Sequence, residues 1–175
     1  MRASVVFESM FGNTEQVADA ICEGLRDQGV EVTRCRVGDA GDHELAPDLL
    51  VLGAPTHTFT LSRPATRAEA VTKGAEAVGA TTGVRDWLDA LDPTSSSAGV
   101  APEVPGAVAV FDTRATTVRH LPGSAAKSTA RILRKRGLDV GEVTSFFVDD
   151  VRGPLVEGEL SRARSWGRHL AVTTR

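Results

Sequence analysis

Val5-Val6-Phe7-Glu8-Ser9-Met10-Phe11-Gly12-Asn13-Thr14 is an apolar run that breaks into a polar, glycine-containing turn. Ala3 to Phe7 is short, β-branched and apolar at successive positions, the composition of a strand buried on both faces. Beyond the turn, Val17, Ala18, Ile21, Cys22 and Leu25 recur at steps of three and four. That spacing predicts an amphipathic helix, with Asn13 or Thr14 as N-cap and Gly29 closing its far end. The chain therefore opens as strand, tight turn, helix.

The same alternation continues. Val30 to Val37 alternates apolar and polar residues, as an outer strand does, and Leu49 to Gly53 is a second continuous apolar run. Ala107 to Phe111 and Val143 to Val148 read as further strands. Helices are expected over Arg67 to Ala77, over Val84 to Leu91 with Trp87 and Leu88, over Ser124 to Arg136 ending at Gly137, and from Glu157 to about Val172. Residues 92–105, rich in proline and serine, read as a loop and not a boundary, because too little chain lies on either side for two cores. One domain spanning 1–175 is expected. Five strands alternating with helices imply a doubly wound, parallel α/β sheet in three α/β/α layers, with right-handed crossovers. In such sheets ligands bind beyond the carboxyl ends of the strands, here residues 8 to 14, 53 to 59 and 111 to 121.

Composition excludes several classes. The 175 residues are 41% hydrophobic and 25% charged, which fits an ordinary globular chain that needs no metal or disulfide to fold. Cys22 and Cys35 lie in no C-x-x-C or Cys/His cluster and read as reduced thiols. No signal-peptide pattern and no run of about 18 apolar residues is visible, so a cytoplasmic protein without membrane insertion is expected. A net charge of −3 without a dense basic block argues against nucleic acid. Arg131, Arg134, Lys135 and Arg136 fall near a predicted helix end, where cations meet the macrodipole.

The first loop offers Ser9, Asn13 and Thr14 side chains, close backbone approach at Gly12, and a helix N-terminus, which together suit an anion such as phosphate. It lacks the Lys-Ser/Thr of a Walker loop and the G-x-G-x-x-G of a dinucleotide site. It contains no basic residue and is flanked by Glu8 and Glu15, so hydrogen bonds alone would hold the anion. A plain helix cap is the alternative. The second loop, Pro55-Thr56-His57-Thr58-Phe59, brings two rings and two hydroxyls to a strand end, where a planar ligand could be flanked; an exposed histidine and a phenylalanine tucked over the core are the alternatives. The third, Asp112-Thr113-Arg114, places three polar groups in succession at the end of an interior strand, which calls for a ligand or an internal Asp112–Arg114 pair.

These three loops, in this order, resemble those of the flavodoxin-like family. Ser9 to Thr14 resembles its phosphate loop, Leu52-Gly53-Ala54-Pro55-Thr56-His57 its second flavin loop, and Val110 to Arg114 falls where its third lies. The resemblance covers essentially the whole chain and implies strand order 2-1-3-4-5 with FMN as cofactor. It places the phosphate on Ser9, Asn13, Thr14 and the amides of Met10, Phe11, Gly12, Asn13 and Thr14. It sets Pro55, Thr56, His57, Thr58 and Phe59 along the isoalloxazine, and Asp112, Thr113 and Arg114 at the pyrimidine edge or ribityl chain.

The chain departs from the family pattern in three ways. It has no tyrosine to stack on the outer flavin face, leaving Val118, His120 or Leu121 to cover it. Thr58 stands where many flavodoxins have glycine, and a β-branched residue resists positive φ. Its acidity is weak for a protein that steers towards reductases by charge. The resemblance implies an electron-transfer protein with a reductase and an acceptor protein as redox partners, monomeric or weakly dimeric. The alternative is an NAD(P)H-dependent FMN or quinone reductase on the same fold. A non-flavin receiver module fits poorly, since the paired acids after the first strand and the lysine after the last are absent.

Overall fold

The computed structural model describes residues 1–40, 47–77, 81–90 and 105–174. Its centre is β1 (Arg2–Phe7), paired in parallel on one side with β2 (Glu31–Arg36) and on the other with β3 (Leu49–Pro55). Beyond β3 lie β4 (Ala107–Ala115) and β5 (Val140–Val148), both parallel, giving the order β2-β1-β3-β4-β5. Among the described residues the α-helices are α1 (Asn13–Arg26), α2 (Pro64–Thr72), α3 (Val84–Ala90), α4 (Ala125–Lys135) and α5 (Glu159–Thr173). The sheet order and the parallel α/β architecture are those expected.

Strand alternation sorts the core into two layers. Val5, Phe7, Leu49, Val51, Ala109 and Phe111 pack under α1 and α5 with Phe146 and Trp166. Val6, Leu50, Leu52, Val108 and Val110 pack under α3 and α4 with Trp87 and Leu133. Because both faces are covered, the inner strands carry continuous apolar runs such as Leu49–Leu52 and Ala107–Phe111, the pattern seen in the sequence. At the α1–α5 crossing, a Cβ on Gly24 would lie 2.0 Å from the Arg164 carbonyl oxygen, so only glycine lets the helices approach this closely.

Several boundaries differ from expectation. The cap of α1 is Gly12, at φ 81, and not Asn13 or Thr14; the cap residue has no side chain to offer, and its left-handed turn itself redirects the chain. Helix α2 starts earlier than residue 67, since Pro64 presets its first turn, and ends at Thr72, before Gly74 turns out at φ 94. Residues 111–114 belong to β4 itself: Gly53 pairs with Phe111, Pro55 with Thr113 and Arg114 with Phe147, so the ladder runs past the apolar stretch. The loop expected over 92–105 lies, but for Pro105, outside the described residues, as does Leu91.

Candidate flavin site

All three candidate segments meet at the carboxyl ends of β1, β3 and β4, around one pocket of about 340 Å³. Its lining includes Met10, Phe11, Asn13 and Thr14, then Pro55, Thr56, His57, Thr58 and Phe59, then Thr113 and Arg114. Ser9, Gly12 and Asp112 do not line it.

Thr14 joins the first segment to the third, its hydroxyl lying 2.7 Å from that of Thr113 in a buried hydrogen bond. Asn13 donates from Nδ2 to the Arg152 carbonyl at 3.1 Å, tying the loop to the β5–α5 connection. Ser9 sits behind the loop, its Oγ accepting the Glu15 amide at 3.3 Å. Met10 is buried against Ala70 and Ala75. The first amides of α1 have no helical acceptor, and a Cβ on Gly12 would meet nothing within 4 Å, so the backbone at the turn is open to a ligand.

The flanking acids do not oppose an anion there. Glu15 accepts from Arg34 at 2.6 Å and from Arg36 at 2.5 Å. Glu8 turns inward, its Oε2 accepting the Val84 amide at 2.9 Å, and burial pushes its carboxyl above the usual range. Beside it lies Arg67, only 2% exposed, which donates to Ser62 Oγ at 3.0 Å and to Asp86 at 2.5 Å.

The second segment is a two-residue hairpin. His57 and Thr60 exchange backbone hydrogen bonds of 2.9 and 3.1 Å, with Thr58 at φ 47 and Phe59 at φ 64 between them. Turns of this hand favour Asn-Gly, and here neither residue is asparagine or glycine. The expected reluctance of Thr58 towards positive φ is thus overcome, because the paired ends of a two-residue hairpin fix its backbone. Burial, reinforced by the nearby Arg67 charge, lowers the His57 pKa and favours the neutral ring. Thr56 Oγ1 accepts the Ala125 amide at 2.9 Å and holds α4 against this segment.

In the third segment Asp112 is fully buried and faces away from the pocket. Its Oδ2 accepts the Ala126 amide at 2.8 Å, at the start of α4. Arg114 lines the pocket and reaches the carbonyls of Val118 and Leu121, the latter at 3.1 Å. Among the described residues neither side chain pairs with the other. Of the three candidates for covering the outer face, Val118 lines the pocket, whereas His120 and Leu121 are exposed outside it.

Sequence reasoning missed the walls. Thr66 and Glu69 of α2 with Lys73 just past its end, and Val148 at the end of β5 with Asp150 and Val151 after it, also line the pocket. The i,i+4 spacing of Glu69 and Lys73, which pair at 2.5 Å, was the only signal they gave.

A model of the flavodoxin family matches residues 5–63, which hold the first two of these segments. The fold is flavodoxin-like. Among solved flavodoxin folds, oxidised Flavodoxin 2 from Bacillus cereus is 21% identical with a TM-score of 0.66, each chain covering 99% of the other. A flavodoxin from the domain Archaea is 18% identical with a TM-score of 0.62, again over 99% of both chains. Rubredoxin oxygen:oxidoreductase from Desulfovibrio gigas is 16% identical with a TM-score of 0.62, matching 99% of this chain but 36% of its own. No curated protein matches the sequence.

Flavodoxins bind FMN, and this pocket fits that group in its chemistry. It combines hydroxyls at Thr14, Thr56 and Thr113, an amide at Asn13, apolar walls at Met10, Pro55 and Phe59, and a guanidinium whose Nε is buried without a partner. Its volume lies within the range of small-molecule sites, roughly 300–1,000 Å³.

Proposed function

We propose that this flavodoxin-like chain is an electron carrier that holds FMN in the pocket between its first, second and third strand-end segments. The observation that carries the reading is the convergence of those three segments on one cavity, closed by the Thr14–Thr113 hydrogen bond. Bound FMN supplies one- and two-electron redox chemistry. The Thr14 and Asn13 side chains, with the free amides of the Gly12 turn, bind the phosphate, while Arg34 and Arg36 neutralise the Glu15 carboxylate beside it. Met10, Pro55 and Phe59 exclude water from one side. Arg114 fixes the 116–121 segment through two carbonyls and sets a cation beside the pocket, which favours an anionic ligand there.

The test is uptake of FMN by the purified chain, read as quenching of flavin fluorescence; no quenching overturns the reading. Thr14→Ala weakens FMN binding by about tenfold, the cost of one hydrogen bond to a charged group, and leaves riboflavin binding nearly unchanged. Equal loss for both places the phosphate elsewhere. Steady oxidation of NAD(P)H by a quinone would favour the reductase alternative. Reductase and acceptor proteins are the partners this reading requires.

A further inference from the structure

We propose that the α4 side of the pocket mouth is a docking face for a redox partner whose own surface is rich in carboxylates. The inference rests on the electron-carrier reading and adds the chemistry of the partner to it.

Between Asp112 and Asp139 the chain carries seven cations and no acidic residue, whereas the rest of the sequence has thirteen cations against twenty-three carboxylates. A chain of net charge −3 is thus strongly polarised. In the fold, this cationic stretch begins in the pocket wall at Arg114, passes over the mouth as the 3-10 turn Thr116–Val118, and continues along α4. Lys127, Arg131, Arg134 and Lys135 line an open groove shared with Gly141 and Val143 of β5.

Arg136 meets Asp89 at 3.5 Å, but among the described residues the four groove cations meet no carboxylate. Lys127 Nζ donates to the Pro122 carbonyl, at 3.1 Å, and Arg134 to the Val140 carbonyl, at 2.8 Å. Arg131 and Lys135 are exposed and make no ion pair among the described residues. By contrast Arg34, Arg36, Arg67, Arg162, Arg164 and Arg168 all meet carboxylates. Favourable meeting of cations with a helix C-terminus, as the sequence suggests, explains Arg134 and Lys135 alone. Lys127 stands in the first turn of α4, where the dipole opposes a cation, and Arg131 lies mid-helix four residues from both Lys127 and Lys135. The row therefore costs the isolated fold stability, and an anionic partner offsets that cost.

An acidic protein suits the row better than other polyanions. The outward positions of α4 carry no apolar residue to enter a lipid surface. Exposed apolar side chains at the pocket, Phe59 and Val151, and Val143 within the groove give a small dry contact rimmed by charge.

The test compares the native chain with a Lys127→Glu/Arg131→Glu/Lys135→Glu variant, all exposed positions outside the flavin pocket. Reduced, FMN-loaded protein is oxidised by ferricyanide, a trianion, or by hexaammineruthenium(III), a trication, at low and high salt. In the native chain the ferricyanide rate falls about tenfold or more with salt, and the variant loses a similar factor at low salt. The ruthenium rate does not fall in the variant, and FMN affinity is the same in both. Glutamine at the three positions gives intermediate rates. Without flavin, labelled poly-L-glutamate binds the native chain and loses about tenfold in affinity to the variant. A ferricyanide rate indifferent to salt and to the variant, in a chain that does bind FMN, overturns the docking face alone. Tighter binding of duplex DNA or phosphatidylserine vesicles than of polyglutamate overturns the acidic-protein partner. Failure to take up flavin, with polyglutamate binding intact, overturns the carrier reading and leaves the acidic partner standing.

Discussion

On one face of the sheet, α1 and α5 close over Phe7, Val51 and Phe111 through Gly24 and Gly167, and the Phe111, Phe146 and Trp166 rings meet edge to face at about 6 Å. On the other face, the segment entering α3 is held partly by a buried polar cluster of Glu8, Ser62, Arg67 and Asp86. The first face is fixed by shape, and its one buried thiol, Cys22, is pushed up to about 11 by burial and so stays neutral at ordinary pH. The second is fixed by charge and runs directly into the site: Glu8 precedes Ser9, and Arg67 acts on His57. The candidate site thus draws on both layers, on the start of α1 through Asn13 and Thr14 and on the charged cluster through Glu8 and Arg67.

The strongest way to break this contrast is Arg67→Ala, which removes the buried guanidinium that pairs with Asp86 and donates to Ser62 beside Glu8. We expect a loss of about 3–5 kcal/mol in urea unfolding. Combining Arg67→Met with Asp86→Asn recovers part of it, because both members of the ion pair then leave together. Next comes Gly24→Ala, whose Cβ would press on the Arg164 carbonyl; about 1–3 kcal/mol is lost, with a much smaller effect on FMN affinity, since Gly24 lies towards the far end of α1 from Asn13 and Thr14. A smaller effect of opposite sign is expected for Thr58→Gly. It relieves a left-handed threonine and stabilises the fold by up to about 1 kcal/mol, part of the strain gain being lost to unfolded-chain entropy. The smallest effect is a pH dependence. The His57 pKa in the fold is depressed below 6.5, so the unfolded chain binds more protons on acidification. Its contribution is complete above pH 6.5 and is lost as pH falls from there towards the folded value. Unfolding of His57→Gln against pH should lack that slope.

The strands were legible because Val5, Leu50, Leu52 and Val110 sit in runs that only a doubly covered sheet requires. The three site segments were legible for the same reason, since strand ends fix where a doubly wound sheet can bind. Asp112 was misjudged as a ring contact, although its parity was readable: it shares the face of Val108 and Val110, which is the α4 side. The Gly12 cap was missed because Ser, Thr and Asn carry the usual capping signal, whereas a glycine at φ 81 caps by backbone geometry alone. Nothing in the sequence marked Arg67 as buried. That burial depends on Ser62, Asp86 and Glu8 arriving from three separate segments, and so on tertiary structure.

The hydrogen bonds that shape the phosphate end of the pocket span long stretches of chain: Thr14 reaches Thr113 across 99 residues, and Asn13 reaches Arg152 across 139. During synthesis the loop after β1 is therefore made well before the residues that complete it. A nascent chain has no finished pocket until the β5–α5 connection has emerged. Any ligand held there draws its binding energy from the whole topology and returns it as resistance to global unfolding.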